Sequence, residues 1–171
     1  MILAVDVHYT EDTGYAAGVL FHSWGDAQAE KEIAAVVNGI ASYRPGQFYK
    51  RELPCLLALM EQLDEMPKLV IVDGYVYLDG ERKRGLGYYL YEALGRKVPV
   101  VGVAKKRFKG MPDWCAVYRG ESKNPLFVTA VSIPQPFAKT YVQSMAGEGR
   151  IPVLLKAVDK LCRASVKQTA K

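Results

Sequence analysis

Apolar residues in this chain fall in short dense runs separated by turn signals, and the order of those runs predicts the fold. "ILAVDVHY" (residues 2–9) is nearly continuous and reads as a central strand. "EDTG" follows as a turn. "YAAGVLFHSW" reads as a second strand, and "EKEIAAVVNG" as a third apolar segment, strand or short helix, ended by Asn38-Gly39. Closely spaced strands with short turns predict an antiparallel meander. After the loop "YRPG", Phe48, Leu56, Leu59, Met60 and Leu63 recur at three- and four-residue steps, the apolar stripe of a helix. Pro54 is tolerable only near a first turn, so regular helix is expected to start close to Glu52. "KLVIVDG" is a buried strand, "GLGYYLYEALG" a helix stopped by Gly95, and "VPVVGVAKKRF" another buried strand. "DWCAVYRG" and "NPLFVTAVSI" suggest a late hairpin, and "PFAKTYVQSMAG" and "PVLLKAVDKLCRA" two closing helices. Residues from about 165 to 171 read as a frayed tail. The order implies a mixed α/β sheet covered by helices, in a single domain over residues 1–171.

Composition narrows the class. With 171 residues, 50% hydrophobic and 24% charged, the chain matches an ordinary soluble domain with a core of its own. No apolar run approaches 20 residues, which argues against a membrane span. The N-terminus "MILAVDVHYT" has no basic region or small-residue cleavage site and reads as strand rather than signal peptide. Cys55, Cys115 and Cys162 stand far apart in apolar surroundings, as expected of reduced core thiols in a cytoplasmic protein. The two histidines have no metal-site spacing, which argues against zinc. Net charge is +5, concentrated in "ERKRG" (residues 81–85) and "KKRFKG" (residues 105–110). Such clusters are either solvated surface or a phosphate-binding face, and position in the fold decides between them.

Three carboxylates stand where carboxylates are costly. Asp6 interrupts the first apolar strand, Glu52 lies in the helix stripe, and Asp73 closes a buried strand. Singly, each has a mundane reading: a backbone contact for Asp6, a cap for Glu52, a turn for Asp73-Gly74. Together they would repel and raise one another's pKa, and a divalent cation relieves both burial and repulsion. Oxygen-only donors suit Mg²⁺, with Mn²⁺ as substitute. Lys105, at the end of another buried strand, suits neutralisation of charge developing on a phosphate. The mundane reading of Lys105 is a surface lysine in a basic cluster.

Four segments resemble the endonuclease V family: "VDVHY" (residues 5–9), "YRPGQFYKRE" (residues 43–52), "VDG" (residues 72–74) and "GVAKKRF" (residues 102–108). They occur in the family's order and spacing, and "YxPGxxxxRE" and "GVAK" are the specific ones. The resemblance implies a ribonuclease-H-like fold, Mg²⁺ on Asp6, Glu52 and Asp73, and Lys105 near the scissile phosphate. It implies that Tyr43, Arg44, Pro45 and Gly46 form a loop that wedges into a duplex beside a deaminated base. Gly74, Lys106 and Arg107 are further expected nucleic-acid contacts. The partner implied is DNA or RNA containing deoxyinosine or inosine, cleaved at the second phosphodiester on its 3′ side, with no membrane and no obligate protein partner. The sequence departs from the family where Asp-Gly-x-Gly reads Asp73-Gly74-Tyr75-Val76, which is expected to crowd the base pocket. A histidine expected a few residues later is absent, with Asp79 nearby, and "VTAVS" (residues 128–132) lacks a second one. The first strand opens the sequence, where family members usually carry a helical segment, and His8 stands where serine is common. The carboxylates are unchanged, so these departures bear on lesion preference. A nuclease of this fold for other structured DNA or RNA is the alternative. A binding module without activity is a third possibility, against which the retained acids and Lys105 argue.

Overall fold

β1 (Ile2–Thr10) is the strand on which the sheet is built. The computed structural model describes residues 1–40, 42, 44, 45, 47 and 49–170. β1 pairs antiparallel with β2 (Thr13–Phe21), which pairs antiparallel with β3 (Lys31–Asn38), so the third apolar segment is a strand and the meander is present. On its other side β1 pairs in parallel with β4 (Leu69–Asp73), and β4 in parallel with β5 (Val100–Ala104). β7 (Leu126–Val131) runs antiparallel to β5, and the two-residue β6 (Ala116–Val117) closes the edge. The late hairpin is therefore short: Asp113–Cys115, read as strand, forms a 3₁₀ turn. The order across the sheet is β3-β2-β1-β4-β5-β7-β6.

The alternation of β1 distributes two cores. Leu3 and Val5 pack with Cys55, Leu56, Leu59 and Met60 of α1 (Tyr49–Met60) and Leu90 of α2 (Leu86–Ala93). Ile2 and Ala4 pack on the opposite face with Ala138 and Val142 of α3 (Gln135–Ser144) and Leu154, Val158 and Cys162 of α4 (Val153–Thr169). The three cysteines are buried free thiols, Cys55 and Cys162 in these cores and Cys115 in a smaller cluster with Ala104, Met111 and Phe127.

Two boundaries differ from the sequence reading. α1 starts at Tyr49, a turn-length earlier than expected, which leaves Pro54 inside the helix. Its ring faces solvent, and the buried leucines on the other face hold the helix despite the lost backbone donor. α4 continues through Thr169, well into the segment read as a tail, because Val166 still packs on the core.

Gly102 in β5 sits where the chain passes closest to the loop after β4. A Cβ there would lie 2.7 Å from both the Gly74 carbonyl oxygen and the Val76 backbone nitrogen. Neither backbone group can move without displacing the end of β4. Gly102→Ala is therefore expected to lower stability by about 1–3 kcal/mol in urea unfolding, while Gly25→Ala, with nothing within 4 Å of its added methyl, should be near neutral.

Candidate metal and nucleic-acid site

Asp6 and Asp73 arrive at the same place because β1 and β4 are parallel and in register. Val5 stands opposite Val72, so the two acids are the next residues on neighbouring strands. Both extend the alternation of Ala4 and Ile71, whose side chains face the α3/α4 core. Glu52 comes from the other side, on the buried face of α1 one turn before Leu56. All three acids line one pocket of about 200 Å³, with Val5, Val7, Leu56, Val72 and Leu86. A second, partly open cleft shares Asp6 and Asp73 and adds Lys105, Ile151, Leu155 and Val158. The acids thus sit between two openings at the carboxyl ends of the central strands.

The surroundings penalise charge. Asp6 is only 6% exposed, and burial, then the Asp73 carboxylate, push its pKa up to about 7. Burial, then Asp6 and Asp73, push Glu52 up to about 8. Some compensation is present. Asp6 Oδ1 accepts the Val7 N–H at 2.9 Å, and Lys105 Nζ donates to Asp73 Oδ2 at 3.2 Å. Arg51, next to Glu52, is buried over the Tyr9 ring at 3.8 Å and donates to the Glu11 carbonyl at 2.9 Å. That contact ties the first turn of α1 to the β1–β2 turn.

The tightest set of ligating atoms among the described residues is not the predicted triplet. Asp6, His8 and Asp159 each offer an atom within 4.8 Å of the others. Glu52 and Asp73 line a pocket with Asp6 but stand outside that set, and Asp73 turns one oxygen to Lys105. Asp159 had gone unread in the sequence. Its sequence signal is weak: it follows Leu155 by one turn, at the edge of the α4 apolar stripe, where an acid is ordinary, whereas Glu52 lies within its stripe. His8, for which the sequence offered no role, brings Nε2 to 3.1 Å from both Asp6 Oδ2 and Asp159 Oδ1.

The remaining predicted residues divide. Gly74 has φ +142°, and a Cβ there would meet nothing within 4 Å, so its backbone is open to a ligand. Lys106 and Arg107 lie on the exposed loop after β5. Arg107 is engaged within the protein, donating to the Met111 carbonyl and to Asp113 Oδ1, both at 2.7 Å, and stacking over Phe127. Arg44 and Pro45 are exposed, and Arg44 lines an open depression with Ser42, Gln47 and Lys50. Tyr43, Gly46 and Phe48 lie outside the described residues.

The family departures acquire physical reasons. Val76, expected to crowd a base pocket, is fully buried in the α1/α2 core, and its N–H donates to the Thr129 hydroxyl of β7 at 2.8 Å. Tyr75, the residue before it, is partly exposed, and its hydroxyl donates to the Lys106 carbonyl and accepts the Phe108 N–H. Asp79 is a turn former, accepting the N–H groups of Glu81, Arg82 and Lys83. The two basic clusters follow neighbouring strands β4 and β5, and Lys83 reaches over the Phe108 ring, so both lie at the acid-bearing end of the sheet.

A seven-stranded mixed sheet with acids on its central parallel strands and helices on both faces is a ribonuclease-H-like α/β fold. Residues 1–133 match the Endonuclease V family, and the chain belongs to it. Endonuclease V of Streptomyces coelicolor is 30% identical over 193 aligned positions, covering 99% of this chain and 80% of the relative. The crystal structure of Endonuclease V from Streptomyces avermitilis aligns with a TM-score of 0.81 at 26% identity, covering 99% of this chain and 82% of that one. Ciona intestinalis Endonuclease V, solved with a 24-mer DNA containing an inosine followed by a ribo-adenosine, aligns with a TM-score of 0.81 at 17% identity, covering 98% and 86%. Among the described residues no helix is long and apolar enough to cross a membrane.

The raised acids give a pH signature. Asp6 binds its proton more tightly folded than unfolded, so its contribution to stability is fully present below about pH 4. That contribution is lost as pH rises toward 7. A shift from 3.8 to about 7 corresponds to roughly 4 kcal/mol at most. In metal-free buffer, Asp6→Asn is expected to melt near wild type at pH 4 and several degrees higher at pH 8. A constant difference across that range would show that burial of the Asp6 charge is not what strains this site.

Proposed function

We propose that this chain is an endonuclease that hydrolyses a phosphodiester beside a deaminated base, deoxyinosine in DNA or inosine in RNA, in the repair of such lesions. The observation that carries the reading is the pocket lined by Asp6, Glu52 and Asp73, with Lys105 bonded to Asp73 at its edge. Three carboxylates lining one pocket fit a hard divalent cation, Mg²⁺ or Mn²⁺, because such an ion offsets the burial and repulsion that raise Asp6 and Glu52. When bound, the cation acidifies a water and neutralises phosphate charge. Asp6, Glu52 and Asp73 would hold it, and Asp73 also holds Lys105. The Lys105 ammonium stabilises charge on a non-bridging phosphate oxygen as the attacking water adds. Gly74 lets the substrate approach the backbone, and Lys106 adds charge for the strand beyond it. Tyr43 to Gly46 act as the wedge that fills the stack vacated by the modified base, with Arg44 near the phosphates. Family membership supports the activity, and the inosine-containing DNA bound by the Ciona relative supports the substrate class.

One observation favours a shifted base preference within this reading. Tyr75 is fastened across the loop of Lys106 and Phe108 and meets the Phe108 ring edge-on at 6.1 Å. An aromatic wall directly after Gly74 narrows the room for a flipped base, so a different structured DNA or RNA is the second candidate substrate.

A nicking assay with Mg²⁺ on inosine-containing and undamaged DNA and RNA separates these readings. Cleavage confined to inosine strands supports the first, and equal cleavage of undamaged strands the second. Asp73→Asn should abolish nicking while leaving stability within about 1 kcal/mol, since it gives up one partly exposed ion pair and relieves repulsion on two acids. Loss of folded Asp73→Asn protein would instead make Asp73 structural. Tyr43→Ala should slow cleavage of inosine in a duplex far more than in a single strand, where no stack needs opening. Equal slowing on both removes the wedge.

A further inference from the structure

We propose that His8 supplies a nitrogen ligand to a divalent cation shared with Asp6 and Asp159, giving this chain a preference for first-row transition ions over Mg²⁺. The inference rests on the reading of Asp6 as a metal ligand and extends it to residues that the acid triplet leaves out.

The geometry points to a shared centre. His8 Nε2 lies 3.1 Å from Asp6 Oδ2 and 3.1 Å from Asp159 Oδ1. Those oxygens belong to different elements, β1 and α4, and all three ligating atoms fall within 4.8 Å of one another. Adjacent donors around a cation with bonds near 2.1 Å stand roughly 3 Å apart. Nε2 carries at most one hydrogen and faces two carboxylate oxygens, so in the absence of a cation it can donate fully to only one of them. A cation between them is contacted by all three. Asp6 is buried, whereas His8 and Asp159 are partly exposed, so the group is anchored on the inside and open on the outside. Arg163 shares the Asp159 carboxylate, its Nε donating to Oδ1 at 3.2 Å and lying 3.1 Å from Oδ2, but it is 65% exposed and can turn to solvent.

The donor type sets the preference. Carboxylates alone suit Mg²⁺, while imidazole adds most to the affinity of Co²⁺, Zn²⁺ and their neighbours. His22, the second of the two histidines, is 68% exposed and 3.7 Å from Glu30, apart from this site. A nitrogen signal from a bound ion can therefore be assigned.

The test uses the full chain without nucleic acid. Mn²⁺ bound to wild type is expected to show electron-spin-echo modulation from a directly coordinated imidazole nitrogen, kept in His22→Gln and lost in His8→Ser. By calorimetry, His8→Ser should weaken Co²⁺ binding by about tenfold or more and leave Mg²⁺ binding within about threefold. Mn²⁺ bound to wild type without nitrogen modulation, or equal weakening of Co²⁺ and Mg²⁺, overturns the role of His8 while leaving the carboxylate site standing. Absence of any divalent-ion binding to wild type overturns both. The wild-type spectrum decides the question even if His8→Ser fails to fold.

Discussion

Everything at the working end of this protein follows from the parallel pairing of β1 with β4. That register sets Asp6 beside Asp73 on one face of the sheet, and a one-residue slip of either strand would exchange the side chains its two cores receive and carry its acid to the other face. Two carboxylates so placed repel, and α1 brings a third against them. The cost is met locally by Lys105 and His8 and globally by two cores that sandwich the strands. An ordinary domain would replace these acids with aliphatic residues. Keeping them is consistent with a protein whose stability has been set against its chemistry.

The fold was legible because its signals are short-range. Dense apolar runs with turns between them mark the strands, and the three-residue and four-residue steps of Leu56, Leu59 and Met60 mark α1. The candidate site was legible where polarity violated those patterns, as at Asp6, Glu52 and Asp73. Asp159 escaped because α4 is amphipathic, and an acid at the border of its stripe looks like any solvated helix residue with an i+4 arginine. Only the packing of α4 across β1, from the far end of the chain, turns it toward Asp6. His8 escaped for the same reason: half its environment lies 151 residues away.

The Val76 and Asp79 departures show how pattern comparison misleads when it lacks a sense of direction. Both stand in a segment associated with base recognition, yet Val76 points into the core and Asp79 organises a turn. The start of α1 shows the complementary limit. Propensity forbids a proline deep in a helix, but the buried face of Cys55, Leu56 and Leu59 outweighs one missing backbone bond.

The Tyr75 hydroxyl bridges two loops that follow separate strands, accepting a hydrogen bond from the Phe108 N–H and donating one to the Lys106 carbonyl. With Val76 anchored to Thr129 on one side and Lys105 to Asp73 on the other, both loops are stapled at several points to a rigid sheet. The mouth of the cleft is thus closer to a machined socket than to a pair of closing fingers. Whatever enters it meets a surface already ordered, so little conformational freedom is surrendered on contact, and poor fits are turned away by shape before any bond is at stake.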